Sequence, residues 1–353
     1  MCKFSLMTLS LVLHGLSLSL LLCATNAAAQ TGRPVEAHAQ APAPLVAQAQ
    51  GLLKEGKLDA AIKVLLAART GPGDEQVGYL LGLAYYRKGD YTRAVEYLSR
   101  AVRLATGEGR EYRQGVQMLG LSHYMLGHAR EAVPYLEQLH RWTPEGTEVA
   151  YALGVSYVQI RESGKARETF ARMFKIPPGS ASAHLINAQM MIRQKMEELA
   201  EQELHKALEL DPRLPQANFL LGELAIYHAQ LDRGIELLQK EISVNPAFGM
   251  AYYRLGEAYT RQLKWDESIA PLQKSIWLNP YFSGPYIVLG KVYLKKVDFA
   301  NAENMLRRAL QMDPNNYSGH HLLAQVLQQS NRPEEARKEF EIAERLRAGA
   351  GEN

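Results

Sequence analysis

Prolines stand at positions 144, 178, 212, 246, 280 and 314, and every interval between them is 34 residues. Small residues keep the same beat at two further points of the unit. One set is Gly120, Gly154, Ala188, Gly222, Gly256, Gly290 and Ala324; the other is Ala132, Ala166, Ala200, Gly234, Ser268, Ala302 and Ala336. A fixed period of this length is the mark of a chain built by stacking one supersecondary unit, and it overrides any reading of segments one at a time. Such a stack offers a long curved surface whose ordinary use is to hold other molecules.

The stretch from Gly249 to Phe282 shows what the unit is. Apolar residues recur at helical spacing from Met250 to Gln262, and again from Trp265 to Leu278 through Ile269, Leu272 and Ile276. Leu263-Lys264 lies between them as a short turn. Asn279-Pro280 ends the second run, because the residue before a proline is pushed out of the helical region. The small residues have a steric reason, since two helices that cross closely need one at the crossing. Glycine within a helix costs roughly 1 kcal/mol relative to alanine, and five of the seven phased early positions accept it. The pattern therefore predicts a contact there that excludes a side chain.

These phased positions resemble the tetratricopeptide repeat, whose marks are Gly at position 8, Tyr at 11, Ala at 20, an apolar residue at 24, Ala at 27 and Pro at 32. One unit reads Gly290, Tyr293, Ala302, Leu306, Ala309 and Pro314; another reads Gly82, Tyr85, Ala94, Leu98 and Ala101, with Thr106 in place of the proline. Glu241 at position 27, and Ala225 and Met191 at position 11, depart from the pattern. The resemblance implies an all-α, right-handed superhelical solenoid of helix-turn-helix units. Counting outward gives nine units over residues 42–350, starting near 42, 75, 113, 147, 181, 215, 249, 283 and 317, with a short insertion at Gly109–Tyr112. The first is degenerate, with Ala49 where the early glycine belongs. The last second helix, Pro333 to Arg347, is rich in Glu, Lys and Arg and reads as a polar cap.

The chain carries a formal charge of +3 with no basic block or stripe, so the electrostatic signature of nucleic-acid binding is missing. Residues 1–29 differ in kind from the rest. Lys3, an apolar run from Phe4 to Cys23 and the exit Ala27-Ala28-Ala29 form the pattern of a secretory signal peptide, with the mature chain expected to begin at Gln30. Two alternatives stay open: an uncleaved anchor through residues 4–23, or lipidation at Cys23, although Leu22 is larger than the usual residue before a lipidated cysteine. Cys2 and Cys23 both fall in this leader, so a mature chain holds neither disulfides nor cysteine-ligated zinc. Residues 30–41 have the Ala, Pro and Gln composition of a linker.

No catalytic constellation emerges. Gly71-Pro72-Gly73 belongs to an inter-repeat turn. His320 and His321 are adjacent on a helix and diverge. His123, with His128 nearby, occupies a packing position, and Met173, Met190, Met191 and Met196 read as adaptable core filling. Glu197-Glu198 and Glu334-Glu335 read as solvated faces. No enzyme activity, cofactor, metal or small-molecule substrate is expected.

In the resembling family, positions 2, 5, 9 and 12 of each first helix line the inside of the superhelix. The resemblance therefore assigns a partner-binding groove to Tyr79, Leu83, Tyr86, Leu121, Tyr124, Tyr151, Val155, Phe219, Glu223, Tyr253, Glu257 and Lys291. Its N-terminal half is apolar and rich in tyrosine, and its C-terminal half is charged, with Arg261 and Lys295 adding to it. A stripe of this kind marks an interaction site, or closes a tight superhelix against itself. Position 9 has no asparagine, which argues against the chaperone-tail clamp of some family members. Position 6 (Leu80, Met118, Ala152, Ile186, Leu220, Arg254, Val288) lacks the asparagine ladder of the sugar-transferring relatives. The expectation is an exported, periplasmic or secreted scaffold for a protein or peptide. The alternatives are an assembly factor of a cell-envelope machine for pili, secretion or polysaccharide export, and a membrane-anchored or lipidated form of the same scaffold.

Overall fold

The structure, a computed structural model, describes residues 43–68, 75–105 and 107–349. The expected leader, the linker, both cysteines, the Gly71-Pro72-Gly73 turn and Thr106 lie outside the described residues.

Eighteen α-helices and no strand are found among the described residues, in nine consecutive antiparallel pairs. The first helices are α1 Ala43–Lys54, α3 Glu75–Lys88, α5 Arg110–Met125, α7 Thr147–Gln159, α9 Ala181–Arg193, α11 Ala217–Tyr227, α13 Gly249–Arg261, α15 Ser283–Lys295 and α17 Tyr317–Gln329. The second helices are α2 Leu58–Ala68, α4 Tyr91–Leu104, α6 Ala129–Trp142, α8 Ser163–Met173, α10 Glu197–Leu210, α12 Leu231–Val244, α14 Trp265–Leu278, α16 Phe299–Met312 and α18 Pro333–Gly349. Three of the four residues read as an insertion, Arg110 to Tyr112, do not loop out. They extend α5 by most of a turn, with Gly109 at its N-cap.

Each pair is closed by the same turn. Position 15 adopts a left-handed conformation in all nine units: Gly56, Gly89, Gly127, Arg161, Lys195, Ala229, Leu263, Val297 and Asn331 have φ between +57° and +80°. The amides at positions 15 and 16 donate back to the carbonyls at 12 and 11, as in Val297 N to Leu294 O (3.1 Å) and Asp298 N to Tyr293 O (2.9 Å). The left-handed residue thereby satisfies carbonyls that a helix end leaves without partners.

The core is periodic because the sequence is. Position 24 (Leu65, Leu98, Leu136, Phe170, Leu204, Leu238, Leu272, Leu306) is fully buried in eight units. Only in the last unit is its counterpart, Phe340, half-buried. A Cβ on Gly256 would stand 2.5 Å from Leu272 Cγ and 3.2 Å from the Ser268 carbonyl; on Gly82, Gly154 and Gly290 it would meet the side chains of Leu98, Phe170 and Leu306 as closely. The early glycine thus accommodates the position 24 side chain first and the backbone at position 20 second.

Consecutive first helices also approach one another along most of the row: α1 to α3, α3 to α5, α5 to α7, α7 to α9, α11 to α13, α13 to α15 and α15 to α17. No two consecutive second helices do so comparably. The first helices therefore line the inner, concave side. The α9–α11 step is looser than the rest of this row. There Pro215 delays the helix start, Gln216 takes a left-handed φ of 73°, and α11 begins at Ala217. Glu241, the residue out of pattern at position 27, explains how this start is held. Its buried carboxylate accepts from the amides of Gln216 (2.8 Å) and Phe219 (3.3 Å), capping α11 from α12. Burial pushes this carboxyl above its ordinary range against those hydrogen bonds.

Candidate partner-binding groove

On the inner row, the N-terminal half is an apolar surface punctuated by phenols. Leu83 and Tyr86 are half-buried against the core of the first three pairs, and Leu121, Tyr124 and Tyr151 against the central core. Tyr86 meets Tyr91 edge-on at 5.9 Å, and Tyr151 leans on Phe170 at 6.5 Å. Burial, with Tyr151 beside it, pushes the Tyr124 phenol up to about 12. Burial raises Tyr86 as well, with Tyr91 and Glu148 adding to it. Both phenols are therefore neutral hydrogen-bond donors at physiological pH. Neither they nor the Tyr151 phenol donate to a protein group among the described residues.

Two of the expected groove residues have another task. Tyr79 is buried, and its hydroxyl donates to Gln114 Oε1 at 2.6 Å, tying the second unit to the third. Val155 is 2 % exposed and belongs to the central core. Their side chains have little surface to offer a partner.

The C-terminal half is organised by pairs the sequence did not single out. Phe219 packs edge-on against Phe248, and one period later Tyr253 packs edge-on against Phe282, both at 5.0 Å between centroids. The signal was present: Phe248 and Phe282 are themselves 34 residues apart, at the last position of their units. Arg254 lies between Glu223 (2.9 Å) and Glu257 (2.8 Å) and over the Tyr253 ring. Burial pushes the Glu223 carboxyl up while Arg254 opposes it. The two groove carboxylates are thus largely engaged by one arginine. Lys291 is exposed and has no carboxylate partner among the described residues.

The histidines go separate ways. His320 binds Glu339 (2.6 Å) and the Pro314 carbonyl (2.9 Å), whereas His321 lies against Phe340 and Tyr317. His123 stacks on Tyr135. No group of three or more His, Cys, Asp or Glu among the described residues could hold a metal ion.

A stack of helix pairs whose first helices share one inner face defines an α-helical repeat solenoid. Tetratricopeptide repeat models match residues 46–108, 118–181, 219–280 and 293–347. The chain belongs to the tetratricopeptide repeat family. Among solved structures it is similar to MamA from Desulfovibrio magneticus RS-1, at 18 % identity, 48 % of this chain, 96 % of that one and a TM-score of 0.45. It is similar to PilF of Pseudomonas aeruginosa, at 19 % identity, 58 % of this chain, 94 % of that one and a TM-score of 0.48. For the Cut9–Hcn1 hetero-tetramer of the APC/C the values are 16 %, 80 %, 55 % and 0.43. No curated protein matches the chain.

Proposed function

We propose that this protein is a non-enzymatic, exported scaffold that holds a protein or peptide segment in its concave groove. The observation that carries the reading is the half-buried stripe Leu83, Tyr86, Leu121, Tyr124 and Tyr151, whose phenols donate to no protein group among the described residues. Apolar surface with unspent donors suits an extended chain, which supplies side chains to the former and carbonyls to the latter. Phe219, Tyr253, Glu223, Glu257 and Lys291 would meet the remainder of the segment. Export rests on the leader at residues 1–29, followed by a linker at 30–41 and the array at 42–350. No helix among the described residues is long and apolar enough to cross a membrane.

The test replaces Tyr86, Tyr124 and Tyr151 together with Ser and compares capture of partners from envelope extracts with the wild type. Tyr79 is left in place because its bond to Gln114 is structural. Each buried aromatic at such a contact contributes about 2 kcal/mol or more, so capture is expected to vanish while circular dichroism is unchanged. Equal capture by the folded triple variant would remove the N-terminal groove as the site.

A further inference from the structure

We propose that α18 pairs with α18 of a second copy of this chain, antiparallel and across a two-fold axis, so that two solenoids join at their C-terminal ends. The surface is the end of the stack rather than its concave face, and it does not depend on what that face holds.

The stack is open beside α18. Position 24 is fully buried in eight units, whereas Phe340 in the last is half-buried. A groove of about 720 Å³ runs along the helix there, with Ala336 and Phe340 at its apolar floor and Gln328, Arg337, Glu341 and Glu344 among its walls. Helices of the array alternate in direction, so a helix taking the next place would run antiparallel to α18. A two-fold axis supplies such a helix from the same sequence, because residue i then faces residue j wherever j faces i.

The charges of α18 fit that arrangement in one register. With the axis between Phe340 and Glu341, Arg337 stands level with Glu344 of the copy and Glu334 with Arg347 of the copy, each pair occurring twice, and no like charges stand level. A shift of one residue sets Glu339 level with Glu341 in one direction and Arg337 with Arg345 in the other. Phe340 meets its own copy beside the axis. Glu341 approaches its copy too, but between Arg337 and Arg345 of each helix. The exposed ion pairs within α18, Arg337 with Glu334 (3.3 Å) and Arg347 with Glu344 (2.8 Å), are of the kind that contributes little to stability, so they are open to exchange. Glu335 and Glu339 are turned to Arg332 and His320 instead. The other end of the solenoid does not match: α1 has no charge before Lys54, and so nothing to set against Arg337 and Glu344.

Sedimentation equilibrium on the full chain reads the association, and a monomer–dimer equilibrium is expected. Arg337→Glu alone, or Glu344→Arg alone, sets like charges level at two places and should weaken the dimer about tenfold or more; the two together should restore it. Within one helix residues 337 and 344 are two turns apart, about 10 Å, so the rescue reports a contact between copies. Both positions are exposed, and all three variants should keep the wild-type helicity by circular dichroism. An apolar leader could associate by itself, but it would not answer to an exchange of charge on α18. A chain that stays monomeric at its highest soluble concentration overturns the proposal, as do open-ended oligomers that grow with concentration. So does a single variant that dimerises as tightly as the wild type, or a double variant no tighter than the singles.

Discussion

Replacing Gly256 with Leu tests whether the period reports steric necessity. The first added carbon would stand 2.5 Å from Leu272 Cγ, 2.8 Å from its Cδ2 and 3.2 Å from the Ser268 carbonyl. Ordinary carbon contacts lie at about 3.5–4.0 Å, so roughly an ångström must be found. Cγ is a branch point rather than a flexible tip, and Leu272 is fully buried, so it has no solvent-facing rotamer to take up. Overpacking of this kind costs about 1–3 kcal/mol, and Leu brings three further carbons into the same crossing. The gain in helix propensity on leaving glycine offsets about 1 kcal/mol. The net expectation is a loss of about 2 kcal/mol, with Ala causing a smaller one. Gly51, inside α1 with nothing within 4 Å of its missing Cβ, is the control. Gly51→Ala should gain up to about 1 kcal/mol.

Hydrogen exchange is the assay, because solenoid units contact only their neighbours and the loss should concentrate in α11 to α16. A double-mutant cycle makes the cause specific. In a Leu272→Ala background the collision with Leu272 is gone and only the 3.2 Å approach to the Ser268 carbonyl remains, so Gly256→Ala should cost clearly less than in the wild type. Uniform loss of protection over all nine units, no loss at all, or no relief from Leu272→Ala would refute the reasoning.

Three more outcomes follow from particular residues. Glu241→Ala should lower stability by about 1–3 kcal/mol, because the amides of Gln216 and Phe219 lose their buried acceptor. Glu241→Gln keeps an acceptor and should cost less, and because burial raises this carboxyl, wild-type stability relative to the Gln variant should rise as pH falls through that raised pKa; denaturant titrations across pH measure both. Glu203 has the opposite sign: burial opposes its ionisation, but hydrogen bonds from Asn187 (3.1 Å) and His184 (2.8 Å), with Lys206 nearby, hold it below its ordinary range. Its contribution is therefore complete above the ordinary carboxylate range and lost as pH falls through the lowered pKa, and Glu203→Gln should flatten that acid limb of the stability curve. Val297→Gly should stabilise by about 1 kcal/mol and Gly89→Val destabilise by a similar amount, since both positions are left-handed and Gly89 has open space around it, so thermal unfolding reads the backbone term alone.

The period made the helix pairs legible because each phased residue answers one demand that recurs in every unit. Gly256 makes way for Leu272, and α14 runs over Trp265–Leu278 as its apolar spacing predicts. The pattern was less informative wherever a unit solves the demand differently. Proline marks the unit ends, yet Pro134 and Pro271 lie inside α6 and α14 without ending them. Glu241 looked like a blemish at position 27 and turned out to hold the start of α11. The stretch 182–218, which the repeat models do not match, contains the buried His184, Asn187 and Glu203 cluster, where α9 and α10 meet through hydrogen bonds that no apolar period encodes. For the groove, the family resemblance assigned Tyr86, Tyr124 and Tyr151 to the inner face, but it was blind to the depth that buries Tyr79 and Val155, because burial depends on the neighbouring unit. Repeated residues thus report what every unit must do to stack. The turn residue at position 15, left-handed in all nine units yet glycine in only three, shows that a backbone demand can recur in every unit without fixing the residue that meets it.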